Sequence, residues 1–118
     1  MKDILVVDDE KSVLMLIESF LQENHFNTAV AMNGIDAIKI LEKRSFDIII
    51  LDLSMPALDG FEVCQHIRNV LMLDTKIIVI TAFENSSRLD ELIKFNVSKI
   101  FIKPFKVEEL INYINSEE

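Results

Sequence analysis

The run Phe46-Asp47-Ile48-Ile49-Ile50-Leu51-Asp52 decides how the rest of the chain is read. Its apolar residues do not alternate with polar ones, and it stops at an acid. A strand with one wet face alternates. A strand buried on both faces does not, and that pattern belongs to a parallel sheet covered by helices. Working outward, Ile4-Leu5-Val6-Val7 stops at Asp8, Lys76-Ile77-Ile78-Val79-Ile80 at Thr81, and Lys99-Ile100-Phe101-Ile102 at Lys103. Thr28-Ala29-Val30-Ala31 is a weaker fifth strand.

Helical patterns lie between these runs. Val13, Leu16, Ile17, Phe20 and Leu21 form an i, i+3, i+4, i+7, i+8 stripe that Ser12 can cap. Leu14 and Met15 are apolar but fall off that stripe, so they are read as an exposed docking patch as much as a broad buried face. Ile35, Ile38 and Leu41 mark a second helix after Asn33-Gly34, and Phe61, Cys64, Ile67, Arg68 and Leu71 a third after Asp59-Gly60. Leu89, Leu92 and Ile93 mark a fourth, with Ser86 or Ser87 as its cap, and Val107, Leu110, Ile111 and Ile114 a fifth. Five βα units predict an α/β fold: a doubly wound, five-stranded parallel sheet in the order 2-1-3-4-5, flavodoxin-like, in three layers.

The 118 residues read as a single domain, 1–118. Half of them are apolar, which supplies a core, and the formal net charge is -8. That acidity argues against bulk neutralisation of nucleic-acid phosphates and against docking on an anionic membrane. One cysteine, Cys64, precludes an intrachain disulfide and fits a reducing cytosol. The N-terminus does not read as a signal peptide, and no apolar run approaches a membrane span, so a cytoplasmic domain is expected. His25 and His66 read as surface histidines, Cys64 as core and Tyr113 as a partly exposed helix residue.

Ligands of such sheets bind beyond the carboxyl ends of the strands, where strand order reverses. In the 2-1-3 order that crevice receives Asp8 and Asp9 from strand 1 and Asp52 from strand 3. Strand 4 ends in Thr81 and strand 5 in Lys103. Clustered carboxylates repel one another, and a divalent cation with a taste for oxygen removes that cost; Mg²⁺ fits the donor set. Lys103 offers a point charge and Thr81 a hydroxyl to a phosphoryl oxygen. Asp52 stands alone on its strand and is the candidate nucleophile for an acyl phosphate. Glu10 reads as a charge placed to suit a helix N-terminus.

The segments Val6-Val7-Asp8-Asp9-Glu10, Leu51-Asp52-Leu53-Ser54-Met55-Pro56-Ala57-Leu58-Asp59-Gly60, Thr81-Ala82 and Lys103-Pro104-Phe105 together resemble the receiver domain of two-component response regulators. The resemblance covers essentially the whole chain. It implies that Asp52 takes a phosphoryl group from a sensor histidine kinase or a histidine phosphotransfer protein. It implies direct Mg²⁺ ligation by Asp9, Asp52 and the backbone carbonyl of Ser54, with Asp8 acting through water. Lys103 would pair with the phosphoryl group, aimed by a cis peptide bond before Pro104. Thr81 would swing toward it and signal to a protein-binding surface on helix 4, strand 5 and helix 5. Such a domain is a switch that assists its own phosphorylation and dephosphorylation, not an enzyme. Its first helix meets the kinase, which assigns Leu14 and Met15 to a partner surface. The output is either a separate protein target or a domain beyond this chain. Some receivers pair on activation, which leaves a phosphorylation-dependent dimer open.

The chain departs from the family pattern at several places. Ile100 stands where the family has a rotating Tyr or Phe, so switching falls to Thr81 with Ile100. Asn96-Val97 replace small residues before strand 5; asparagine tolerates the left-handed conformation a turn needs there. Ser54 and Phe83 occupy positions that tune water access, and a phenylalanine cannot orient a water, so slow hydrolysis is expected. Two other chemistries fit the topology less well. A flavin carrier would suffer repulsion between Asp8-Asp9-Glu10 and the cofactor phosphate. An aspartyl-phosphate hydrolase would need a second acid where Ser54 stands.

Overall fold

The computed structural model describes residues 2–53, 55, 59–82 and 87–116, with the backbone alone at 87–89. Five parallel strands pair in the order β2-β1-β3-β4-β5: β1 (Asp3–Val7), β2 (Asn27–Ala31), β3 (Ile48–Asp52), β4 (Lys76–Thr81) and β5 (Lys99–Ile102). The helices are α1 (Lys11–Glu23), α2 (Gly34–Lys43), α3 (Gly60–Gln65) and α4 (Val107–Ser116). A π-helical turn, His66–Val70, continues α3, and a 3₁₀ segment, Ser87–Phe95, leads toward β5. The expected strand order and layering are therefore found.

The unalternating strands divide residue by residue between two cores. Leu5, Val7, Ile49, Leu51, Ile77 and Val79 meet Ala37 and Leu41 of α2, Phe61 and Cys64 of α3, and Leu92. Ile4, Val6, Ile48, Ile50, Ile78 and Ile80 meet α1 and α4 on the other face. α4 buries Val107, Leu110, Ile111 and Ile114, the stripe its sequence shows.

Helix α1 is rotated from its expected phase. It buries Leu14, Ile17 and Leu21, while Leu16 is 48% and Met15 56% exposed. Leu14 therefore belongs to the core and not to a partner surface. Residues 13–17 are apolar without a break, so periodicity alone does not set the phase; packing against both the sheet and α4 does. In α2 the buried positions are Gly34, Ala37 and Leu41, and Ile35 is exposed. Asn33 caps this helix by accepting a 2.8 Å hydrogen bond from the Asp36 N–H.

The fourth helical pattern forms a 3₁₀ segment, not an α-helix. At three residues per turn, Leu92 and Phe95 line up against the core and Ile93 turns away, 80% exposed. Arg68 holds the end of this segment. Its Nε donates to the Phe95 carbonyl at 2.7 Å, Nη1 to Leu73 at 2.8 Å and Nη2 to Asn96 at 3.4 Å. Asn96 takes the left-handed conformation expected of it, with φ 54°. His25 is exposed as expected, but His66 is half-buried; its Nε2 is shielded and has no hydrogen-bond partner among the described residues. The expected cap Ser86 and the residue Phe83 lie outside the described residues, as does the side chain of Ser87.

At α3, Asp59 and Glu62 form a capping box, each side chain accepting from the other's backbone N–H. The next residue, Gly60, lies against the end of β3. A Cβ there would sit 2.5 Å from Leu53 Cα and 2.7 Å from the Asp52 carbonyl oxygen. Both are backbone atoms that cannot rotate aside.

Three outcomes check this packing. Leu14→Ala is expected to cost about 2–5 kcal/mol in urea unfolding, and Met15→Ala no more than about 0.5 kcal/mol. Gly60→Ala, which ordinarily favours a helix, is expected to destabilise by about 1–3 kcal/mol, because the end of β3 must move. Burial pushes the Cys64 thiol up to about 12. The native protein should therefore resist thiol reagents at about pH 8 and react with them only once denatured.

Candidate functional site

β1 and β3 pair in register from Ile4 opposite Ile48 to Val7 opposite Leu51. The next residues, Asp8 and Asp52, thus emerge side by side at the carboxyl edge of the sheet. The Asp8 backbone is tied to β2 through its N–H, which donates to the Ala31 carbonyl at 3.2 Å. The Leu53 N–H donates to the Ile80 carbonyl at 3.2 Å and ties the end of β3 to β4. Asp8 and Asp52 are buried, and Asp9 is half-buried. Each of the three offers a carboxylate oxygen, and these oxygens lie within 4.8 Å of one another.

Buried carboxylates need counter-charge. Lys103 provides it from the end of β5, where its backbone N–H donates to the Thr81 carbonyl at 2.7 Å. Its Nζ lies 3.2 Å from Asp8 Oδ2, 3.2 Å from Glu10 Oε1 and 3.5 Å from Asp52 Oδ2. Burial by itself would lower the Lys103 pKa. The charges of Asp52 and Asp8, with hydrogen bonds to Glu10 and Asp8, outweigh it and hold the ammonium above the usual lysine range. The peptide bond from Lys103 to Pro104 is cis.

A single ammonium does not balance Asp8, Asp9 and Asp52. A hard divalent cation would, and an all-oxygen set of clustered carboxylates is the donor chemistry Mg²⁺ takes. The residues therefore fit such an ion.

The structure thus brings Asp8, Asp9, Asp52 and Lys103 together as expected. Thr81 is buried at the end of β4, one strand from Asp52. Ile100 is half-buried and packs on the α2 and α3 face. Phe101, one residue on, faces the other core, tilted against Phe105 and edge-on to Tyr113. Tyr113 is half-buried, as expected, and its hydroxyl bonds Ser98 Oγ. Ser54 lies outside the described residues. Two residues have roles that sequence reasoning missed. Glu10 pairs with Lys103 from 93 positions away, and Arg68 binds backbone carbonyls; neither leaves a local signal.

The comparisons with known proteins agree with this geometry. Residues 4–115 match the family model described as the response regulator receiver domain. The chain is 38% identical over 115 residues to a probable transcriptional regulator, ycf27, of Cyanidium caldarium, covering 96% of this chain and 45% of that protein. It is 36% identical over 107 residues to the heme response regulator HssR of Staphylococcus aureus, covering 91% and 47% respectively. The chain thus spans about half the length of the curated relatives it matches. Among solved structures, the receiver domain of the Francisella response regulator 1452 superposes with a TM-score of 0.90 at 29% identity, covering 98% of this chain and 95% of that one. The response regulator TrrA of Thermotoga maritima, solved in complex with Mg²⁺-BeF, superposes at 0.84 with 35% identity and 98% coverage of both chains. With its fold, its acidic edge and its sequence all matching, the chain belongs to the receiver domains of two-component response regulators.

Proposed function

We infer that Asp52 is the phosphoryl acceptor of this receiver. The observation that carries the reading is the Lys103 ammonium held between Asp8 and Asp52, with Asp9 completing an oxygen cluster around the same point. An Asp52 carboxylate oxygen attacks the phosphorus of a phosphohistidine, the P–N bond breaks, and the imidazole leaves with its electron pair. Lys103 takes up an oxygen of the transferred group. Thr81, buried on the neighbouring strand, supplies a hydroxyl on that side. A Mg²⁺ held by Asp9, Asp52 and the Ser54 carbonyl, with Asp8 through water, would offset negative charge on the phosphoryl oxygens.

Thr81 then reports the modification to the surface formed by the 3₁₀ segment, β5 and α4. Ile100 is too small and too branched to act as a swinging ring, so the coupling runs through Thr81 and the packing of Ile100. A kinase or phosphotransfer protein docks beside the site on α1. Met15 and Leu16 are the apolar residues that α1 exposes, and Leu14 takes no part. Leu16 also lines an apolar groove with Val13, Ile17, Pro104, Phe105 and Val107, which extends that surface to the Lys103 loop. Among the described residues no helix is long and apolar enough to cross a membrane, and a cytoplasmic location suits such a switch. The output is a separate protein target or a further domain, as the greater length of the relatives suggests; pairing of two receivers on activation belongs to the same reading.

Incubation with acetyl phosphate and Mg²⁺ tests the acceptor. Intact mass should rise by roughly eighty units, one phosphoryl group, in the native protein and not in Asp52→Ala or without the metal. A gain that persists in Asp52→Ala would place the acceptor elsewhere.

A further inference from the structure

Glu10 occupies the N-cap position of α1, yet its side chain makes no capping hydrogen bond. Its backbone N–H instead donates to Asp8 Oδ1 at 2.9 Å, which turns the residue toward the site. Its carboxylate reaches across to Lys103 Nζ at 3.2 Å, as close as Asp8 comes. Glu10 differs from the other two acceptors of that ammonium in one respect. Its side chain is 59% exposed, whereas those of Asp8 and Asp52 are buried and belong to the oxygen cluster.

A cation entering that cluster competes directly with Lys103 for Asp8 and Asp52. We propose that Glu10 is a positioning residue for Lys103, holding the displaced ammonium at the rim of the site when a divalent cation takes over the Asp8 and Asp52 carboxylates. The proposal rests on the metal reading above and adds a residue to it. With Glu10 present, Lys103 gives up two partners and keeps a third of full charge. Without it, the ammonium must be left unpaired or stay on Asp8 and Asp52, and the cation binds less readily. Glu10 thus favours metal binding through the lysine, beyond what its own negative charge adds at a distance.

A double-mutant cycle separates these two effects. Mg²⁺ dissociation constants are measured by calorimetry for the native protein, Glu10→Gln, Lys103→Met and the double variant, with urea unfolding to show that each is folded. Glu10→Gln should weaken Mg²⁺ binding about threefold when Lys103 is present, within the range of a partly exposed ion pair, and by less than about 1.5-fold when Lys103 is Met. An equal loss in both backgrounds, or tighter binding in Glu10→Gln, would overturn the proposal and leave the metal site standing. Failure of all four proteins to bind Mg²⁺ would overturn the metal reading and the proposal with it.

Discussion

The repulsion between two buried carboxylates is the constraint around which this molecule is arranged. Parallel pairing of β1 with β3 sets Asp8 beside Asp52 at the end of a register that begins four residue pairs earlier. Both side chains are buried, so each charge needs a partner within the protein. A positive charge must therefore come from elsewhere, and the chain brings it from β5, two strands away from β3, through a backbone bond between Lys103 and Thr81. The ends of β1, β3 and β5 are thus coupled by electrostatics, and β4 joins them through its backbone. Lys103 is the common member, its ammonium facing Asp52 and its backbone N–H bonded to the Thr81 carbonyl.

The two cores have different relations to that edge. The face of α1 and α4 lies under Lys103 and the groove beside it. The face of α2, α3 and the 3₁₀ segment holds Leu53, Met55 and Gly60, the residues that follow Asp52 along the chain. Gly60 packs directly on the backbone of Asp52 and Leu53, so the position of Asp52 and the start of α3 are one steric decision. Substitutions on either face reach the site by different routes: through Lys103 on one side and through the Asp52 backbone on the other.

Much of this was legible in the order of residues. Unalternating strands, the acids that end β1 and β3 and the lysine that ends β5 specify the sheet and converge on one edge, because strand ends are fixed by topology. What escaped had physical reasons. The phase of α1 was ambiguous because Val13 to Ile17 are all apolar, and only packing against two neighbours selects Leu14 over Leu16. The 3₁₀ geometry of residues 87–95 was hidden because Leu92 and Ile93 suit an α-helical stripe as well as a tighter winding. Glu10 was visible as a helix-terminal acid, but its pairing with Lys103 depends on two loops meeting across the sheet edge. Arg68 falls on the stripe of its helix, and its bonds to three carbonyls depend on where distant segments arrive.

Arg68 binds the Leu73 carbonyl ahead of β4 and the Phe95 and Asn96 carbonyls ahead of β5. One guanidinium therefore fastens the loops that feed these two strands, at the edge of the sheet opposite the carboxylates. At the other edge the Lys103 N–H meets the Thr81 carbonyl. The pair of strands that delivers Thr81 and Lys103 is thus riveted at both ends, and a substitution at Arg68 would be felt at a site a full strand length away.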